Sequence, residues 1–176
     1  MDAVCRAADF MRRHQLLLAT AESCTAGLIA ATLADLPGAG QLLDCAFVTY
    51  SPQAKQRCLD VDPETLRRYG LTSEEVACEM ALGALAHSRA NMAIANTGVA
   101  DDRDARIPAG TQCFAWAFKG SRGRAPKIYS ETRRFSGDRA AVRQTSAEHA
   151  LGRIPHYGGL ALAAGIAITD SFPGED

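Results

Sequence analysis

Leu17-Leu18-Ala19-Thr20-Ala21-Glu22-Ser23-Cys24-Thr25-Ala26-Gly27 is the stretch whose reading decides the fold. Its apolar first half predicts a buried strand over 16–20. The run Leu28-Ile29-Ala30-Ala31-Thr32-Leu33 beyond it predicts a helix over roughly 25–35. Between them lies a turn holding a carboxylate, two hydroxyls and a thiol. Backbone N–H groups at a helix start lack partners, so such a turn can hold an anion or a developing oxyanion. Ser23 stands where a nucleophile could meet those donors.

Working outward, residues 2–14 place Val4, Ala7, Ala8 and Met11 at helical spacing, which predicts an amphipathic first helix. A second strand is expected over 45–50. Ser51-Pro52 then gives an N-cap followed by a first-turn proline, and Asp62-Pro63 repeats the device. Thr72-Ser73-Glu74-Glu75 reads as a capping box with Thr72 as the cap. It opens the longest helix, over about 73–89, with Val76, Met80, Ala84 and His87 on one face. A third strand is expected over 92–96, followed by an acidic loop over 97–109. In 111–118, Phe114, Trp116 and Phe118 alternate with Cys113, Ala115 and Ala117, a strand with its large residues on one face. A turn near 120–123 and a strand over 127–135 complete a hairpin. A helix from 139 to about 151 follows, closed by Gly152 and Pro155.

Strands alternating with helices and ending in a hairpin predict a single α/β domain, layered α/β/α, with a mixed sheet and an antiparallel hairpin at its C-terminal end. The domain is expected to span 1–152 and a Gly/Ala-rich tail 153–176. Three placements of the tail stay open: on the domain, on a partner subunit, or on neither. Sites in such folds form beyond the carboxyl ends of the strands, so residues 20–25, 50–55 and 96–101 are expected to converge.

The 176 residues are 47% hydrophobic, ample for one core. A net charge of −1, without a long run of one sign, gives no footprint for nucleic acid. The first residues lack the pattern of a signal peptide, and no apolar run is long enough to span a membrane. Six cysteines form no C-x-x-C and meet no His at ligand spacing. That predicts neither a zinc site nor disulfides, and a reducing cytoplasm as the setting.

Ser23 and Lys55 are the sharpest candidate pair. A serine hydroxyl needs a base, and a lysine serves once burial or a positive field lowers its pKa. Ser23 as a simple N-cap and Lys55 as a surface residue is the plainer alternative. Cys24 is a rival nucleophile, since a helix N-terminus favours a thiolate. Glu22 could orient a lysine, take up a proton, or act as a first-turn acid. Tyr50 could contact substrate or cap the core edge. Arg139 and Arg143, four apart on one helix, could hold a phosphate through forked donors.

In order along the chain stand Ala21-Glu22-Ser23-Cys24-Thr25-x-Gly27, Asp35-x-Pro37-Gly38 and Phe47-Val48-Thr49-Tyr50-Ser51-x-x-Ala54-Lys55. Thr97-Gly98-Val99-Ala100, Pro108-x-Gly110-Thr111 and Phe135-x-Gly137-Asp138-Arg139-x-x-Val142-Arg143 follow. Over roughly 3–151 this pattern resembles the carboxyl-terminal domain of the CinA family. The resemblance implies a cofactor-free amidohydrolase that converts nicotinamide mononucleotide to nicotinic acid mononucleotide and ammonia, in pyridine nucleotide salvage. It implies Ser23 as nucleophile and Lys55 as base, with backbone N–H groups near Cys24 and Thr25 holding the oxyanion. It adds Glu22, Cys24, Thr25, Tyr50, Thr97, Gly98 and Arg139 as the substrate-binding set, and it points to homo-oligomers.

The chain departs from that pattern at two places. Ala26 replaces a usual glycine. Residues 99–107 lose a glycine-rich run and carry Asp101, Asp102 and Asp104 beside Arg103 and Arg106. An intact Ser–Lys pair favours an active deamidase. The acidic loop favours the alternative, a non-catalytic or altered-specificity relative that binds a nucleotide or a protein partner.

Overall fold

The structure is a computed structural model that describes residues 2–101, 106–120 and 124–166. Five strands form one sheet: β1 (Leu18–Glu22), β2 (Leu43–Val48), β3 (Met92–Gly98), β4 (Thr111–Phe118) and β5 (Lys127–Arg134). Their order is β2-β1-β3-β4-β5. β1 runs parallel to both β2 and β3, and β4 runs antiparallel to its two neighbours, β3 and β5. The expected mixed sheet with a C-terminal hairpin is therefore present.

Side-chain parity sorts the helices into two layers. Leu18, Met92, Ile94, Phe114, Trp116 and Phe118 share one face of the sheet. Against it lie α1 (Ala3–Arg13), α2 (Leu28–Ala34), α6 (Arg139–Gly152) and α7 (Ile154–Ala163). The opposite face presents Ala19, Ala21, Ala93, Ala95, Ala115 and Ala117. Methyl groups leave room for a close backbone approach, and α5 (Glu74–Ala86) fills it with Val76, Ala77, Met80, Ala81 and Ala84. α3 (Pro52–Leu59) and α4 (Pro63–Tyr69) pack against α5. A Cβ on Gly83 would stand 2.0 Å from the Leu59 carbonyl oxygen, so α3 rests directly on α5.

The chain leaves β1 through α2 on one face and leaves β2 through α3 to α5 on the other. The carboxyl end of β1 is thus where the connections diverge, the place where an open α/β sheet leaves a crevice.

Several boundaries shift from expectation. β1 continues to Glu22 and α2 begins only at Leu28, because residues 23–27 form a turn with Ala26 at φ 51° and Gly27 at φ 95°. Left-handed backbone costs a residue with a Cβ about 1–2 kcal/mol, so the alanine at 26 is strained where glycine would not be. The cap of α5 is Ser73, whose side chain accepts from the Val76 N–H, rather than Thr72. Two adjacent hydroxyl residues made the register ambiguous by one. His87 is the C-cap of α5, exposed and paired with Asp60 at 2.6 Å. The turn expected at 120–123 falls mostly on residues 121–123, which lie outside the described residues.

The expected tail begins with a helix of the domain itself. Pro155 occupies the first turn of α7, a position that suits its missing N–H. Ile154, Tyr157, Gly158 and Ala161 are buried, with Trp116 stacked on Tyr157 at 4.4 Å. Gly158 lies so close to Phe10 that a Cβ would approach its ring to 2.5 Å. Residues 153–166 therefore dock on the domain, and 167–176 lie outside the described residues. No helix among the described residues is long and apolar enough to cross a membrane.

Candidate active site

Ser23 follows β1 directly, and its N–H donates to the Asn96 carbonyl of β3 at 2.9 Å. Lys55 stands one turn into α3, a helix begun by the Ser51 cap and Pro52. Its Nζ donates to Ser23 Oγ at 2.9 Å and to the Thr49 carbonyl at 2.7 Å. Ser23 is 9% exposed and Lys55 only 1%. Burial pushes the Lys55 ammonium down from 10.5 to about 8. A lysine in that range is partly neutral near physiological pH and can accept a proton from the serine to which it is bonded.

Glu22 takes the last of the three parts open to it, that of an acid at a helix start, rather than a substrate contact. Its carboxylate is fully buried and receives the N–H groups of Gly27, Ile29 and Ala30 at 2.8, 3.1 and 3.0 Å. Thr20 Oγ1 adds a fourth bond at 2.9 Å. Glu22 therefore caps α2 from inside, which removes it from the substrate-binding set. Three orphan N–H groups and the helix dipole hold the negative charge there.

Thr25 is also corrected. Its side chain is fully buried, and its N–H is taken by Asn96 Oδ1 at 3.1 Å. Its carbonyl accepts from Arg143 Nη2 at 3.0 Å, while Arg143 Nε reaches the Cys24 carbonyl at 2.9 Å. Arg143 thus grips the turn instead of facing a phosphate. The peptide between Cys24 and Thr25 is held at both ends, so Thr25 cannot supply an oxyanion donor. Of the N–H groups of residues 23–25, only that of Cys24 has no partner among the described residues.

A cleft of about 410 Å³ opens over the pair. Ser23, Cys24, Tyr50, Lys55, Thr97 and Gly98 line it, joined by Leu71, Val99, Arg106 and Ile107. Of the expected residues, Cys24, Tyr50, Thr97 and Gly98 are therefore brought to one cleft with Ser23 and Lys55. Thr97 Oγ1 donates to the Leu71 carbonyl at 2.7 Å and holds that wall in place. Gly98 is sterically required, since a Cβ would lie 2.5 Å from the Gln112 side chain. Arg139 stands at the rim, donating to Tyr50 Oη at 2.7 Å and to Asp101 Oδ2 at 3.2 Å. Of the rewritten loop, 102–105 lie outside the described residues. A hollow of about 450 Å³ along Gly110, Arg134, Phe135 and Ser136 holds no such nucleophile–base pair.

Cys24 does not have the surroundings of a nucleophile. Burial pushes its thiol up from 9.0, and Gln112 Nε2 donates to Sγ at 3.3 Å. Gln112 and Asn96 are site residues that sequence reasoning missed. Asn96 Nδ2 donates to Gln112 Oε1 at 3.0 Å, and both side chains are fully buried. The available signal was an amide in each of two otherwise apolar strands. Among the described residues, no group of three or more His, Cys, Asp or Glu is arranged to hold a metal.

The CinA C-terminal domain family matches residues 3–157. The chain belongs to this family. It is 43% identical over 133 residues to the nicotinamide-nucleotide amidohydrolase PncC of Enterobacter agglomerans, covering 74% of this chain and 78% of that protein. It is 42% identical over 147 residues to a putative competence-damage inducible protein of Symbiobacterium thermophilum, covering 81% of this chain and 34% of that one. The chain thus spans about a third of that longer relative and most of the shorter one. The crystal structure of a competence damage-inducible protein A from Klebsiella pneumoniae superposes with a TM-score of 0.82 at 32% identity, covering 89% of this chain and 95% of that one. The CinA fold of this chain is therefore the α/β/α layer with the Ser23 turn after the first strand.

Proposed function

We propose that this CinA-type domain is an amidohydrolase that deamidates nicotinamide mononucleotide through a Ser–Lys mechanism. The observation that carries the reading is the 2.9 Å bond between Ser23 Oγ and a fully buried Lys55 Nζ at the floor of a cleft. Amidohydrolases among the relatives support the reaction class.

Neutral Lys55 removes the Ser23 proton as Oγ attacks the carboxamide carbon. The oxygen that becomes negative is met by the Cys24 N–H, which the clamped turn leaves open. Lys55 then passes its proton to the departing nitrogen. The C–N bond breaks, ammonia leaves, and an ester to Ser23 remains. Water enters, Lys55 takes one of its protons, the ester bond breaks, and Ser23 recovers its hydrogen as the carboxylic acid is released. No cofactor is needed in this sequence.

The test is ammonia release from nicotinamide mononucleotide by the wild type and by Ser23→Ala. The expected outcome is release by the wild type and loss of at least about a thousandfold in the variant, the scale for removing an activated nucleophile. Folded wild type that releases no ammonia would overturn the reading in favour of a binding role.

A further inference from the structure

The rim of the cleft carries two opposite charges that the hydrolytic steps do not use. Arg139 opens α6, with Nη2 on Tyr50 Oη and Nη1 on Asp101 Oδ2. Tyr50 lines the cleft, so the guanidinium stands at its edge. The Arg139 side chain is 46% exposed and that of Asp101 27%, so an arriving ligand meets both. An exposed guanidinium of this kind is a good phosphate donor because its N–H groups are forked. Here a carboxylate already occupies part of the fork. Arg143, the other arginine of this face, is committed to the Cys24 and Thr25 carbonyls. Arg106 on the cleft wall also has partners of its own.

The two rim charges reach the cleft floor with opposite effects. Burial is the main influence on the Cys24 thiol and pushes it up; the Gln112 hydrogen bond, Arg139 and Arg143 pull it down, and Asp101, the smallest influence, pushes it back. A phosphate dianion at Arg139 would lie beside a carboxylate, and its attraction to the arginine would be offset by that repulsion.

We infer that Asp101 is a specificity-determining residue: it neutralises Arg139, so the cleft takes pyridine-carboxamide nucleosides with or without a 5′-phosphate. The inference rests on the amidohydrolase reading and deepens it by naming the substrate class.

The experiment compares kcat/KM for nicotinamide mononucleotide and for its dephosphorylated riboside in the wild type, Asp101→Asn and Asp101→Asn/Arg139→Ala. In the wild type the two values should agree within about threefold, the phosphate adding little against a neutralised arginine. Asp101→Asn should raise preference for the phosphorylated substrate about tenfold, mainly through KM, by removing one charge repulsion at an exposed site. The double variant should lose that gain. A wild-type preference for the nucleotide above about a hundredfold would overturn the inference while leaving the deamidase intact, as would a ratio unmoved by Asp101→Asn. Should folded protein hydrolyse neither amide, the amidohydrolase reading fails, and calorimetry with ribose 5-phosphate decides the role of Asp101. Binding tightened about tenfold in Asp101→Asn, and lost again in the double variant, would support neutralisation; equal binding by wild type and Asp101→Asn would overturn it.

Discussion

Lys55 is the residue that the fold is least disposed to hold. Its ammonium is buried with only a hydroxyl and a carbonyl for partners, and burial brings its pKa to about 8. Below pH 8 the folded chain must carry that charge, at a cost of about 3 kcal/mol for a shift of this size. Between pH 8 and 10.5 the unfolded chain binds the proton more tightly, so stability rises with pH across that window. Lys55→Met is therefore expected to be inactive yet more stable by about 2 kcal/mol at pH 7, the lost hydrogen bonds offsetting part of the gain. Urea unfolding should show the difference shrinking toward pH 10.5. In the wild type, kcat/KM should climb through pH 8 as the amine becomes neutral. A profile flat from pH 6 to 9 would rule Lys55 out as the base. The pair was legible in the sequence because each residue sits at a fixed step beyond a strand. The role of Glu22 was one of three left open, and that of Thr25 was not legible. Thr25 leaves the cleft because its N–H pairs with Asn96 far along the chain, which nothing in residue type announces; Glu22 leaves it by capping the next helix, one of the readings its position had left open.

At the scale of elements, the position of Lys55 depends on how closely α3 lies on α5. The Gly83 backbone leaves 2.0 Å between a notional Cβ and the Leu59 carbonyl, and Leu59 ends the helix that carries Lys55. Gly83→Ala must push α3 outward. The expected result is a loss of about 2 kcal/mol, the usual range for overpacking, together with a fall in kcat greater than the rise in KM. Activity at the wild-type level with unchanged stability would show that α3 does not need this contact. Element order and type could be read from caps and periodicity: Ser51-Pro52 and Asp62-Pro63 each start a helix where expected. α7 could not be read, because a Gly/Ala-rich segment with Tyr157 as its one large buried ring carries almost no periodic signal. Its burial comes from Phe10 and Trp116, which lie far away in sequence.

Across the whole molecule, the C-terminal helices are tied to the outer hairpin by one carboxylate. Glu131 on β5 accepts from Tyr157 Oη at 2.6 Å and meets His149 Nε2 at 2.5 Å, with Arg153 at 3.5 Å. Burial raises its pKa, but the bonds from Tyr157 and His149 and the charges of His149 and Arg153 outweigh it, leaving the carboxyl below 4.5. A depressed carboxylate contributes stability above its unfolded value and loses it as pH falls through the folded one. Glu131→Gln is thus expected to be less stable by about 2 kcal/mol at pH 6–7. The gap should close as the pH drops below 4.5, followed by circular dichroism in urea. A gap independent of pH would mean that the carboxylate's charge contributes nothing. The layered sheet was legible from the chain as a whole, since parity in 111–118 already separates a large-residue face from an alanine face.

The Ser23 turn is completed by residues from two further strands, β3 and β4. Ser23 and Thr25 are held by Asn96, and Asn96 by Gln112. During synthesis the serine and the lysine emerge early, yet the amides that set the turn come from the far side of the chain. In a growing chain the turn is therefore not set until the fourth strand has paired and Arg143 of α6 has reached the Cys24 and Thr25 carbonyls. The serine leaves the ribosome long before the side chains that fix its turn, and takes its place beside Lys55 only once the sheet has closed around it.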